Sequence, residues 1–408
     1  MTSRLTEASA TDRSSPWQIL WVFLRLGLTS FGGPVAHLAY FRTEFVERRR
    51  WMDERSYADL VALCQFLPGP ASSQVGIAVG LARGGWWGSL AAWVGFTLPS
   101  ALVLIVFALA LTRHGDWVDG GVLHGLKVAT VAVVAQAVWG MSKTLCPDRP
   151  RAALAICAAL LSLLLPTVFA QVGAILASGL VGWLLLHQPG QNAVEHRPYG
   201  VSRRAGVMAL ALFALLLLGL PLLAAITASP TLATLDAFYR AGALVFGGGH
   251  VVLPLLQSAV VPGGAVSNAE FLAGYGAAQA VPGPLFTFAA YLGTVMQPEV
   301  AGIGGWVGGL ACLVAIFLPA WLLVVGSLPF WDTLRQRQAV QSTLAGVNAG
   351  VVGILLAALY DPVWTSAIGS RADFGLALAA FGLLVYARWS PLLVVALAAG
   401  AGWVNSVL

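Results

Sequence analysis

Long apolar runs alternate with short polar loops along almost the whole chain. Runs at about 17–41, 57–82, 86–111, 121–141, 151–166, 167–187, 205–227, 234–257, 270–296, 300–327, 340–360, 372–386 and 390–407 predict helices. Many of them reach the roughly 18 residues that suit a hydrocarbon layer. The fold class this pattern predicts is an all-α polytopic membrane protein.

The pattern says one thing twice. Phe23, Arg25, Gly27, Phe31, Gly32 and Gly33 recur, at one constant offset, as Phe238, Arg240, Gly242, Phe246, Gly247 and Gly248. Gln65 with Pro68-Gly69-Pro70 recurs as Gln279 with Pro282-Gly283-Pro284. Trp86, Gly88, Leu98 and Pro99 align with Trp306, Gly308, Leu318 and Pro319, and Leu123-x-Gly125 with Leu344-x-Gly346. A duplicated membrane unit with helix breakers at matching places is a transporter signature. The division expected is a polar tail (1–16), a first unit (17–187), a linker with one extra transmembrane helix (188–233) and a second unit (234–408).

Pro68-Gly69-Pro70 removes amide donors, so 57–82 is either a broken span or a re-entrant pair of half-helices. Segment 17–41 has a similar break at Gly32-Gly33-Pro34. Thirteen spans follow if both cross, nine if both re-enter. Loop 42–55 is rich in arginine, whereas loops 228–233 and 258–269 hold no Lys or Arg. The positive-inside bias then favours two units of inverted topology, as one extra spanning helix between them would produce.

Composition narrows the function. Only 10% of residues are charged and mean hydropathy is +0.82, against about 25% charged in soluble domains. The net charge of +5 lies mostly in loops, which fits membrane orientation and argues against a nucleic-acid partner. The polar tail 1–16 lacks the apolar core of a signal peptide. Cys64, Cys146, Cys157 and Cys312 are scattered and read as small packers; neither a disulfide framework nor a metal site is expected, and no cofactor. No phosphate-binding Gly-x4-Gly-Lys-[Ser/Thr] loop is present. An enzyme would need a nucleophile–base pair or a metal cluster, and the pattern offers neither.

Arg25 and Arg240 are the leading candidates for binding substrate. An arginine at the bilayer centre costs about 2.5–3.5 kcal/mol, so it needs a partner, a water-filled cavity, or a route by which to snorkel to the interface. Carboxylate partners are scarce in the apolar segments, and none is expected at the centre of one. Two inward guanidiniums would then suit a mobile oxyanion. Gly32, Gly33, Gly247 and Gly248 allow the backbone to unwind near a ligand, or serve close helix packing. Half-helices starting after Pro68, Gly69 and Pro70, and after Pro282, Gly283 and Pro284, would present amide groups and a positive dipole end to an anion. Ser72, Ser73 and Thr287 fall in the first turn beyond those breaks. Their hydroxyls would either meet the anion or satisfy freed carbonyls. Lys127, opposite Asn348 in the second unit, is either a charge partner or a snorkelled end residue. His37 and His250 are candidate proton carriers, as is His124, though His37 and His250 are not equivalent positions.

With these paired motifs, the chain resembles the chromate ion transporter family in its long two-domain form, over nearly its whole length. The second unit departs from the pattern, reading Phe-Gly-Gly-Gly-His where the first reads Phe-Gly-Gly-Pro, so Pro34 belongs to the first unit only. The resemblance implies chromate export across the bacterial inner membrane, with sulfate as the related anion, an inverted pair of units and the lipid bilayer as setting. It leaves a homodimer open. The driving force expected is the membrane potential or the proton motive force; a dianion leaving a negative interior gains roughly 4.6 kcal/mol per 100 mV, so export can run on membrane potential alone. Uptake of sulfate or another oxyanion by the same fold is the competing reading.

Overall fold

The computed structural model describes residues 14–30, 33–113, 120–165, 168–186, 200–246, 251–331 and 337–407, and among them every regular element is helical. In the first half, α1 (Pro16–Thr29) opens on a capping box: the Ser15 hydroxyl accepts the Gln18 N–H and the Gln18 side chain accepts that of Ser15. It stops at Ser30, whose backbone is extended, and α2 (Gly33–Arg42) starts on Gly33 at φ +79°. Asp53 caps α3 (Glu54–Phe66), which ends on an extended Leu67. Pro68-Gly69-Pro70 follows, with Gly69 at φ +121°. The next helix, α4 (Ala71–Arg113), is folded back on itself at Gly85 (φ +61°, ψ −150°). Gly80 therefore lies against the Gly88 carbonyl, although a straight helix would separate the two by about 12 Å.

The second half repeats this course. Helices α9 (Pro230–Leu244), α10 (Val252–Val260) and α11 (Asn268–Ala280) precede Pro282-Gly283-Pro284, with Gly283 at φ +107°. A short 3-10 turn, α12 (Phe288–Val295) and α13 (Pro298–Ala301) lead to Gly305 at φ +58°, where α14 (Gly305–Ser327) begins. Gly85 and Gly305 are separated by the same offset as Trp86 and Trp306, so the reversal in α4 and the start of α14 are equivalent points. Packing repeats as well. Gly27 lies beneath the carbonyls of Gly95 and Phe96, and Gly242 beneath that of Ile316, the equivalent of Phe96 at that same offset. Any side chain at either glycine would strike backbone, so these helices touch only because Cβ is missing.

The remaining helices interlock the halves. Of α5 (Gly120–Leu145), α6 (Arg149–Leu164) and α7 (Val168–Leu185), the last two pack on α15 (Gln338–Ala358) from the other half. In return α16 (Arg371–Val385) and α17 (Pro391–Val407) pack on α5. Glycines make both crossings close: Gly182 on Gly346, Gly353 on the Ala155 carbonyl, Gly125 on the Ala398 carbonyl and Gly402 on that of Gly121. The linking helix α8 (Arg203–Thr227) stays peripheral and fully buries only Gly206 and Ala209.

The part of α4 beyond Gly85 and its equivalent, α14, run antiparallel. Trp321, late in α14, donates its indole N–H to Ser89, near the Gly85 turn of α4 (2.9 Å). Trp93 meets Phe317 edge-on (5.8 Å between centroids), while Ile105, further along α4, approaches Gly309 at the start of α14. Five described helices are long and apolar enough to cross a bilayer: 71–112, 120–145, 203–227, 305–330 and 338–367. The first of these contains the Gly85 reversal. In the arginine-rich loop, Arg42 pairs with Glu47 and Glu54, and Arg48 and Arg49 with Glu44. The hydrogen bond from Arg42 holds the exposed Glu54 carboxyl below its ordinary range.

Candidate functional site

The four breaks meet crosswise, each half's Pro-Gly-Pro loop touching the other half's first break. The amide of Gly69 donates to the Val245 carbonyl (2.6 Å), and that of Gly283 donates to the Ser30 carbonyl (3.0 Å). Ser30 and Val245 are equivalent positions, as are Gly69 and Gly283, so these two bonds are the same contact made twice. The walls match too: Gly69 faces Ala320 of α14, and Gly283 faces Ser100 of α4, which is the position equivalent to Ala320. Both loop glycines hold a positive φ that other residues rarely adopt.

Around this crossing lie buried polar groups with unused capacity. The side-chain oxygens Ser30 Oγ, Ser73 Oγ, Gln74 Oε1 and Thr97 Oγ1 are buried without a hydrogen-bond partner. Such groups are costly to leave unpaired, and a polar ligand that satisfies them recovers the cost. His37 Nδ1 lies 3.3 Å from Ser72 Oγ, and its ring stands edge-on to Phe96 (5.3 Å). Gln74 donates to the Pro68 carbonyl (2.8 Å), which pins the loop to the half-helix that follows it.

Ser73 and Thr287 are equivalent but differently used. Thr287 Oγ1 donates to the Pro284 carbonyl at 2.8 Å, satisfying a carbonyl freed by the break. The Ser73 hydroxyl has no such bond. Thr287 thus serves the freed carbonyl, whereas Ser73 does not. Pro68, Pro70, Pro282 and Pro284 frame the loops. Gly33 starts α2, while Gly32, Gly247, Gly248 and His250 lie outside the described residues.

The arginines stand in unlike surroundings. Arg25 is exposed and, among the described residues, forms no ion pair; it follows Trp17 and Trp21, also exposed, at four-residue intervals along α1. Arg240 is three-tenths exposed and pairs with Asp236, one turn earlier on α9 and buried. Arg240 also lines a cleft of about 280 Å³ between α9 and α10, together with Ala237, Leu244, Leu255 and Ser258. Asp236 corrects the expectation that apolar segments lack an inner carboxylate. Its position near the start of run 234–257 makes it look peripheral in sequence, but α9 begins at Pro230, which puts it mid-helix. The four-residue spacing to Arg240 was the available signal. At the equivalent place in the first half stands Trp21.

Lys127 is half-buried on α5, and Asn348 is half-buried on α15 with Oδ1 unpartnered. His124 Nε2 sits 2.7 Å from Asp373 Oδ1, an interlock between α5 and the capping box of α16. Cys64 and Cys312 are buried, Cys146 is half-buried and Cys157 exposed, so packing accounts for only part of the cysteine set. Among the described residues no group of His, Cys, Asp and Glu is disposed to hold a metal. Ser30, Gln74, Thr97 and Ser100 went unnoticed in the sequence because isolated hydroxyls and amides in apolar helices carry no motif.

The family model for the chromate transporter matches residues 17–183 and 232–403. A chromate transport protein of Pseudomonas aeruginosa is 31% identical over 98% of this chain and 95% of its own length. A chromate transport protein of Cupriavidus metallidurans is 28% identical over 84% of this chain and 81% of its own. A probable chromate transport protein of Synechococcus elongatus is 27% identical over 84% of this chain and 83% of its own. No solved structure matches the chain.

Proposed function

The chain belongs to the chromate transporter family and is a multi-pass membrane protein, and on that premise we propose that it exports chromate across the bacterial inner membrane and so confers chromate resistance. Residues 17–187 and 234–408 act as two units mounted in inverted topology, joined by the linker 188–233 with its extra helix. The opposed directions of α4 and α14 support this arrangement, because equivalent helices of parallel units would run the same way.

The observation that carries the reading is the reciprocal pair of hydrogen bonds at the crossing, Gly69 to Val245 and Gly283 to Ser30. It brings two interrupted helices together, each followed by a half-helix whose positive end suits an anion. The tetrahedral dianion binds beside this crossing, taking bonds from Ser30, Ser73 and Thr97, whose hydroxyls are unsatisfied without it. Arg25 precedes Ser30 by five residues and Arg240 precedes Val245 by five, so the backbone of each arginine lies about 7.5 Å along its helix from a break. With the units inverted, the two arginines serve the two sides of the membrane as entrance and exit cations.

Membrane potential drives the step outward, since each negative charge gains about 2.3 kcal/mol per 100 mV on leaving. Sulfate, of like shape and charge, competes for the site. Expression in a chromate-sensitive bacterium tests the reading: cells making the protein should accumulate less chromate and survive more of it. Greater accumulation would mark an importer, and unchanged accumulation by a correctly inserted protein would sink the reading.

A further inference from the structure

Asp236 is the feature the export reading leaves unused. It is almost wholly buried in the middle of α9, and its Oδ2 meets the Arg240 guanidinium. Its Oδ1 and the Arg240 Nε are both buried without partners. Arg240 meanwhile faces the cleft between α9 and α10. The cation best placed to meet an anion there is already occupied by a carboxylate of the same chain.

A dianion arriving at a guanidinium already paired with a buried carboxylate repels that carboxylate, and of two negative groups sharing one site one gains proton affinity. An arriving dianion must displace Asp236, and a displaced buried carboxylate escapes its penalty by taking up a proton. We propose that Asp236 is a resident counterion which the transported oxyanion displaces and which accepts one proton as it leaves Arg240, so that each dianion moves with one proton. This rests on the transport reading above. Empty, the site holds Asp236 ionised against Arg240. Loaded, it holds protonated Asp236 and the oxyanion against Arg240. The net charge carried falls from two to one, which halves the pull of the membrane potential and makes the cycle sensitive to pH.

Among the described residues, the elements packed on α9 leave Asp236 as the group to titrate. Of the elements packed on α9, α10 contributes no ionisable side chain and α14 only the buried Cys312. Helix α8 carries Arg203 and Arg204 at its first residues, and Tyr239 on α9 itself donates to the Phe213 carbonyl of α8. Glu299 of α13 is exposed, and α13 meets α9 near Thr234, whose hydroxyl donates to the Ala301 carbonyl. The device belongs to the second half alone, because Trp21 stands where Asp236 would be and Arg25 has no ion pair among the described residues.

Full-length protein in liposomes tests this with chromate as probe and an enclosed pH dye, at alkaline pH where free chromate is the dianion. The unmodified protein should move about one proton with each chromate, and its apparent chromate affinity should tighten about tenfold per unit fall in pH while Asp236 is ionised in the empty state. Asp236→Asn should carry chromate without protons and with no pH dependence, while Asp236→Glu should keep both. Chromate flux without protons in the unmodified protein overturns this inference alone, and so does proton flux that persists in Asp236→Asn. Absence of chromate flux in the unmodified protein overturns the transport reading with it. If Asp236→Asn does not fold, the proton count of the unmodified protein still decides.

Discussion

Gly69 gives its amide hydrogen to the carbonyl of Val245, which lies in the other half of the chain yet only 2.6 Å away in space. Gly283 and Ser30 make the same bond in the opposite sense. Neither glycine tolerates a side chain well. At Gly69 a Cβ would lie 2.9 Å from Gln74 Nε2, and at Gly283 2.8 Å from Ser100 Oγ, with φ at +121° and +107°. Gly69→Ala and Gly283→Ala should each destabilise the fold by about 1–3 kcal/mol and abolish chromate resistance. Thermal unfolding in detergent beside a resistance assay checks this, and the two variants should behave alike.

The equivalent hydroxyls should not behave alike. Ser73→Ala removes a free donor and should weaken chromate binding about tenfold, near 1.4 kcal/mol. Thr287→Ser keeps the bond to Pro284 and should bind as the unmodified protein does. Titration of purified protein with chromate distinguishes them; equal weakening would remove the distinction between a ligand donor and a local cap.

The arginines also differ in what their loss strands. Arg240→Ala leaves Asp236 buried and unpaired, at a cost of about 3–5 kcal/mol, whereas Arg25→Ala leaves no buried carboxylate behind. Both should abolish resistance with membrane insertion intact. Only the Arg240 variant should recover stability when combined with Asp236→Asn, which unfolding of the single and double variants would reveal.

The all-helical membrane class was legible in the sequence because runs of that length and polarity have few other solutions, and the family was legible because its motifs come in pairs. The cross-pairing of the breaks was not. Apolar periodicity reports which faces are buried but not which half supplies the neighbour, and nothing in α6, α7, α16 or α17 announces that they pack on the opposite half. The glycines at 182, 346, 125 and 402 mark close approach in retrospect, but a glycine does not name its partner. Asp236 escaped notice because the apolar run was started four residues inside the helix that holds it.

The proposed inversion of the units would place loop 42–55 and its second-half counterpart, 258–269, in opposite compartments. Single cysteines introduced at Glu47 and at Gly263, in a background lacking Cys146 and Cys157, should react with an impermeant thiol reagent from opposite sides. Labelling of both from one side would require parallel units.

The central claim is outward movement of a dianion through the crossed breaks, and everted membrane vesicles test it most directly. With a potential positive inside the vesicle, labelled chromate should accumulate, unlabelled sulfate should compete, and accumulation should vanish with Gly69→Ala or Gly283→Ala. Accumulation that requires the opposite polarity, or that survives both glycine substitutions, would contradict the account.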